Sequence, residues 1–367
     1  MAEHIVVVGG GYTGLAAAKL LARWTEAEVT LVNDRDRFVE RVRLHEFAAG
    51  RTPHDLPLTG LLDGTGVRLV VDRVTRIDAD TREITLETGR LHYDRLVYAL
   101  GSRADLDSVP GAREHAFTVA TREEAERLRV NLTTARSVVV IGGGLTGIEA
   151  AAELAEAHPH LAVTLATGGV FGGALSAKGR RHLRRVFDRL GVTVVDDARV
   201  TEVRADGVVL ADREITADTV VWTAGFRVPD LAREAGFEVD GRGRLVVDGT
   251  LSSVSHPEVI GVGDAAAVHR PDGLELRMAC ATGLPTTQYA IRTVAARLSG
   301  RVSKPLRFGY ALQCVSLGRR DGLIQFVRGD DSPRELVLTG RLAARVKEAV
   351  VRGTVLFERH PTIPTSF

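Results

Sequence analysis

The sequence predicts an α/β fold built from two doubly wound β-α-β units and a small C-terminal α+β region, and one internal repeat predicts most of it. Residues 5–21, IVVVGGGYTGLAAAKLL, recur as residues 138–154, VVVIGGGLTGIEAAAEL. In each copy a β-branched run meets a glycine cluster and then an alanine-rich segment with helical spacing, which reads as strand, tight turn and helix. A second strand follows each copy, at residues 29–33 and 163–167, so each unit is a crossover between parallel strands.

The chain has 367 residues, enough for two or three domains. Hydrophobic residues make up 44% and charged residues 26%, which excludes disordered, collagen-like and disulfide-scaffold classes. The 48 basic residues offset 47 acidic ones and aromatics are only 5%, so nucleic acid is not the expected partner. No window is apolar for long enough to span a membrane and no N-terminal leader is visible, so the expected location is the cytoplasm. The histidines are scattered, none at ligand spacing beside a carboxylate, and no metal is expected.

Inside each turn sits G-x-G-x-x-G, first as Gly9, Gly11 and Gly14, then as Gly142, Gly144 and Gly147. The first glycine permits the turn, the second lets a pyrophosphate approach the backbone, and the third packs helix against strand. Tyr12 and Thr13, and then Leu145 and Thr146, open helices whose free N–H groups and dipole favour an anion. Two such turns, each after a strand and before a helix, specify two Rossmann-like dinucleotide sites. That pairing suits a flavin and a nicotinamide meeting ring on ring.

Three more apolar runs end at glycine: LVYALGS at 96–102, VVWTAGF at 220–226 and VIGVGDA at 259–265. Pro285, Thr286, Thr287 and Gln288 then read as the opening of a helix. On these residues the chain resembles the FAD-dependent pyridine nucleotide oxidoreductases with two dinucleotide-binding domains, over residues 4–300. The resemblance implies an FAD-binding domain at 1–110 and 240–300, an NAD(P)H-binding domain at 111–239 and a C-terminal region at 301–367. It implies that FAD contacts Gly9, Gly11, Tyr12, Thr13, Gly14, Asn33, Val74, Ala99, Gly101, Gly263, Asp264 and Thr286, with Asp264 on the ribityl chain. NADH or NADPH falls to Gly142, Gly144, Leu145, Thr146, Gly147 and Gly225.

Within that superfamily the chain is most similar to the type II NADH:quinone oxidoreductases. Residues 142–149, GGGLTGIE, resemble their GGGxTGxE, and residues 284–292, LPTTQYAIR, resemble their proline-led helix. In that family this helix sits where FAD meets the quinone pocket, which implies that Gln288 and Arg292, one turn apart, face the acceptor. Arg292 stands where the family has Gln, and a guanidinium disfavours a hydrophobic quinone. The disulfide-reducing branches need a close cysteine pair by the flavin. Cys280 and Cys314 are far apart in sequence and neither is expected near the first flavin helix, which argues against a dithiol relay and leaves the sulfide:quinone branch a minor alternative.

Glu149 stands where the first copy has Ala16. It reads either as a capping carboxylate or as a group that contacts the nicotinamide or relays protons, and the resemblance favours the second. The acidic residue usual at the end of the second strand is replaced by Asn33, then Asp34, in the first unit and by Thr167 in the second. Without a carboxylate there, NADH and NADPH both stay open. The arginines from 180 to 189 read as a solvated helix face or as a phosphate clamp.

Residues 312–327 read as two strands about a turn at 318–322. Residues 341–357 read as a helix with Leu342, Val346, Ala349, Val350, Leu356 and Phe357 near one face and Arg341, Arg345, Lys347 and Arg352 mostly off it. Such a helix docks on its own protein, on a second subunit or on a membrane surface, so peripheral attachment at the inner face of the membrane and a homodimer both stay open. The function expected is an NAD(P)H dehydrogenase: hydride passes from NAD(P)H to FAD, and two electrons go on to a quinone-like small molecule. The helix from Pro285 would aim its positive end at the flavin. Two alternatives stand beside it, a soluble flavoenzyme for one metabolite and an AIF-like, slowly turning FAD-binding redox sensor.

Overall fold

The computed structural model describes residues 2–365. Its first sheet has five parallel strands in the order Val259–Gly261, Arg95–Tyr98, His4–Val8, Glu28–Asn33 and Arg68–Val71. The central strand buries Ile5, Val6, Val7 and Val8 on both faces, as a strand covered from two sides must. Helix α1 (Tyr12–Trp24) leaves the C-terminal end of that strand. Its run Ala16, Ala17 and Ala18 is fully buried, and such small side chains let the helix lie close to the sheet.

The second sheet repeats the plan with Thr193–Val195, Ala162–Ala166, Ser137–Ile141, Thr219–Trp222 and Ala116–Phe117, again all parallel. Helix α2 (Leu145–Ala157) follows its glycine turn, and α3 (Ala177–Leu190) follows the next strand. The Ser176 hydroxyl caps α3 by accepting from Gly179 N–H, and Gly191 ends it at φ 71°. The strand–turn–helix–strand repeat expected from the sequence is therefore the one observed.

Helix α4 (Cys280–Leu298) corrects one expectation: it starts at Cys280, and Pro285 lies inside it. The proline removes one rung of the helical ladder. The Thr286 and Thr287 hydroxyls turn back onto the carbonyls of Thr282 and Gly283, at 2.8 and 2.7 Å, and tie down the same stretch.

The C-terminal region adds a third strand that the sequence reading missed. Leu312–Ser316, Gly322–Val327 and Pro333–Thr339 form an antiparallel sheet that leads into helix α5 (Gly340–Arg359). The expected apolar stripe on α5 is split. Ala343, Val351 and Phe357 face the protein, whereas Leu342, Val350 and Leu356 are about half exposed. Lys347, expected on the polar side, points inward instead. Among the described residues, no helix is long and apolar enough to cross a membrane.

Candidate functional site

Both glycine turns open onto one cleft of about 1090 Å³. The three glycines of each turn are required for different reasons. Gly9 and Gly142 take φ +103° and +121°, where a side chain is strained. A Cβ on Gly14 or Gly147 would collide with the carbonyl oxygen of Gly9 or Gly142. Gly11 and Gly144 have ordinary φ values of −77° and −73°, and no protein atom lies within 4 Å of a Cβ built on either. Nothing in the fold needs glycine at these two positions. What they keep clear is the cleft itself, in front of the N-termini of α1 and α2, which fits a pyrophosphate at each.

The strand-end residues serve these turns. Asn33 Oδ1 accepts from Gly10 N–H at 2.7 Å, and its Nδ2 donates to the Arg35 carbonyl at 2.8 Å. Thr167 holds the same place in the second unit, packed so closely on Gly143 that a Cβ there would strike its hydroxyl. Arg184 and Arg189 of α3 are paired with Asp196 and Asp321, so these two are engaged within the protein.

Of the residues expected at the flavin, Gly9, Gly11, Tyr12, Thr13, Asn33, Val74, Ala99, Gly101, Gly263 and Asp264 line the cleft. Thr13 is wedged between Gly263 and Gly283, where a Cβ on either would come within 2.8 Å of it. This close approach brings the first glycine turn, the Gly263–Asp264 turn and the start of α4 to one wall. Asp264 Oδ2 accepts from Ser102 Oγ at 2.7 Å, with Arg41 3.9 Å away, so the carboxylate is oriented and partly exposed. On the nicotinamide side Gly144, Leu145, Thr146, Glu149 and Gly225 line the cleft, while Gly142 and Gly147 lie behind it as turn and packing glycines.

Besides the turn and packing glycines Gly14, Gly142 and Gly147, three expected residues are not on the cleft. Thr286 is buried with its hydroxyl spent on α4 itself. Gln288 Nε2 donates to the carbonyls of Pro361 and Ile363 at 2.7 and 2.6 Å, and its Oε1 accepts from Thr365. Arg292 is exposed, its guanidinium 5.5 Å from the centre of the Trp24 ring. The earlier start of α4 explains this. Gln288 sits about 12 Å along the helix from Cys280 at 1.5 Å per residue, so Ala279, Cys280, Ala281 and Gly283 meet the cleft in its place.

The structure also overturns the capping role for Glu149. This carboxylate is buried in the second turn of α2, 3.0 Å from Lys347 Nζ, and accepts from Ser316 N–H at 2.9 Å. Burial is the largest influence and opposes its ionisation, but the Lys347 ammonium, His45 and the Ser316 N–H together outweigh it and hold its pKa below the ordinary value. Lys347 responds in kind: burial disfavours its charge, Glu149 more than restores it, and its pKa is raised. Lys347 was not foreseen as a site residue.

Cys280 and Cys314 were not expected near the flavin, yet both line the cleft. Burial, then the charge of Asp264, pushes the Cys280 thiol up to about 12, and burial raises Cys314 as well. Both are held as thiols, the form least suited to nucleophilic relay.

The family model for pyridine nucleotide-disulphide oxidoreductases matches residues 3–293. An NADH dehydrogenase-like protein of Mycobacterium tuberculosis is 32% identical over 374 residues, 95% of this chain and 92% of that protein. A type II NADH:quinone oxidoreductase of Staphylococcus saprophyticus is 25% identical over 386 residues, 95% and 94% of the two chains. The crystal structure of a sulfide:quinone oxidoreductase from Aquifex aeolicus superposes with a TM-score of 0.83 at 22% identity, covering 98% of this chain and 92% of that one, a likeness of fold.

Proposed function

The chain belongs to the pyridine nucleotide-disulphide oxidoreductase family, and from that premise we propose that it is an FAD-dependent NAD(P)H dehydrogenase delivering two electrons to a quinone-type acceptor. The observation that carries the reading is the pair of cleared positions, Gly11 and Gly144, each in front of a helix N-terminus and both facing one cleft. A dinucleotide held on each turn would place both in this one cleft. When bound, FAD supplies the two-electron chemistry that links a hydride donor to an electron acceptor.

The chain's own residues bind and orient. The N–H groups opening α1 and α2 take the two pyrophosphates. Asp264, turned by Ser102, would accept from the hydroxyls of the flavin's polyol chain. The start of α4 presents its positive end to the cleft. Glu149 and Lys347 hold the helix behind the second glycine turn against α5, which fixes the spacing of the cleft walls. Leu342, Val350 and Leu356 on the outside of α5 form the surface by which the enzyme meets a membrane holding its quinone.

An acceptor screen with the FAD-loaded protein tests the reading. NADH or NADPH oxidation with a short-chain quinone is the expected result. Turnover confined to one non-quinone metabolite, or absent with every acceptor, would overturn it.

A further inference from the structure

Helix α5 is held at two places along its length. Near its middle, Lys347 pairs with Glu149 at 3.0 Å and Glu348 with Arg43 at 2.9 Å. At its far end the hold is of another kind. Lys19, buried on α1, donates to the carbonyls of Glu358 and Arg359 at 2.7 and 3.0 Å and to that of Leu61 at 2.8 Å. The carbonyls of a last helical turn have no partner within their own helix. One ammonium therefore caps α5 and the short helix Leu58–Leu62 together.

Gln288 extends this hold past the end of the helix. It is buried on α4, and its Nε2 donates to the carbonyls of Pro361 and Ile363 at 2.7 and 2.6 Å. Its Oε1 accepts from the N–H and the hydroxyl of Thr365 at 3.3 and 3.2 Å. Both donors and both acceptor positions of the amide are thus filled by the segment 361–365. Three of these four bonds run to backbone atoms, so Gln288 fixes the course of the chain and not one side chain of it. Between the two grips, Phe357 and Glu358 are buried where α5 packs on α1.

What the far end of α5 steadies is a wall of the cleft. Lys347, Val350, Val351 and Thr354 line it, and neither glycine turn supplies that wall. With a dinucleotide on each turn, it is the side left for a third reactant. Val350 is also 46% exposed, so one helix alone separates the cleft from the outside there. Thr354 lies one turn before Glu358, roughly 6 Å along the axis. A helix released at its far end would pivot on the ion pairs at 347 and 348, which moves Val351 and Thr354 relative to the opposite wall.

We propose that Gln288 is a positioning residue for the acceptor: with Lys19 it clamps the end of α5 and the segment 361–365, and so sets where the Val350–Val351–Thr354 face stands in the cleft. This rests on the dehydrogenase reading. Gln288 lines no part of the cleft, and its influence on turnover passes through α5.

Gln288→Leu keeps an apolar side chain of similar size in the buried site and loses all four hydrogen bonds. In the FAD-loaded variant, kcat/KM for a short-chain quinone should fall about 10- to 100-fold, the scale of a small misplacement. The loss should lie in KM, while rapid-mixing reduction of the flavin by NADH or NADPH stays at the wild-type rate. Trypsin should cut after Arg359 faster than in wild type. Thr365→Pro removes both donors to Oε1 and touches neither helix, which keeps the test open if Gln288→Leu does not fold. It should shift the acceptor KM the same way by about 2- to 10-fold, the range for one hydrogen bond. Wild-type resistance to trypsin in both variants, a released segment with the acceptor KM unmoved, or an equal loss in flavin reduction would overturn the proposal. Failure of both nicotinamides to bleach the wild-type flavin would instead sink the dehydrogenase reading, whatever trypsin shows.

Discussion

Lys347 Nζ lies 3.0 Å from Glu149 Oε1, so a single buried ion pair ties the helix after the second glycine turn to the C-terminal helix. Lys347→Met leaves the Glu149 carboxylate buried without its cation and should destabilise the fold by about 3–5 kcal/mol. Urea unfolding measures this, and adding Glu149→Gln should recover part of the loss. A folded-state pKa lowered for Glu149 and raised for Lys347 also sets a pH window. The Glu149 contribution is complete above its unfolded value and disappears as pH falls through its folded one. The Lys347 contribution is complete below its unfolded value and disappears as pH rises through its folded one. The pair's stabilisation should therefore be flat between the two ordinary values, about pH 4.3 to 10.4, and decline outside them.

Gly144→Val places a branched side chain in the space kept clear before α2, with no protein atom within 4 Å of its Cβ and an unstrained φ. The variant should fold and retain FAD. Bleaching by NAD(P)H should fall by at least about a hundredfold, as expected for a lost charge-assisted anion site, while dithionite still bleaches the flavin. Equal loss of both reductions would assign the two turns the other way round.

Asp264→Ala removes the carboxylate that Ser102 orients at the cleft. FAD should dissociate about 10- to 100-fold more readily, the range for hydrogen bonds to a charged group, and equilibrium dialysis of the holoprotein reads it directly.

The repeat was legible because glycine turns are local: spacing alone identifies the strand, the tight turn and the helix that follows. Gln288 and Arg292 were misplaced because Pro285 was taken as the start of α4, and a shift of that start moves every later residue along the helix and around it. Lys347 and Cys314 could not be placed from sequence. Their route to the cleft runs through the sheet that ends in Pro333–Thr339, a strand whose exposed, charged start hid its pattern. Glu358 reads as an ordinary surface charge until α5 is packed on α1.

Arg292→Gln should now leave acceptor preference within about twofold of wild type, because Arg292 stacks on Trp24 at the exposed side of α4. Loss of that contact costs about 0.5–1 kcal/mol, which thermal unfolding would show. A marked gain with hydrophobic quinones would place Arg292 at the acceptor after all.

On this reading the first turn would hold one FAD, reduced by a nicotinamide held on the second turn and reoxidised by a quinone. Anaerobic sequential-mixing spectroscopy tests it most directly: the FAD-loaded chain is mixed with one equivalent of NADH or NADPH, then with a short-chain quinone. One FAD per chain, loss of the oxidised flavin band in the first step and its full return in the second are expected. A colourless chain that cannot be reconstituted with FAD, or a flavin that neither nicotinamide reduces, would contradict it.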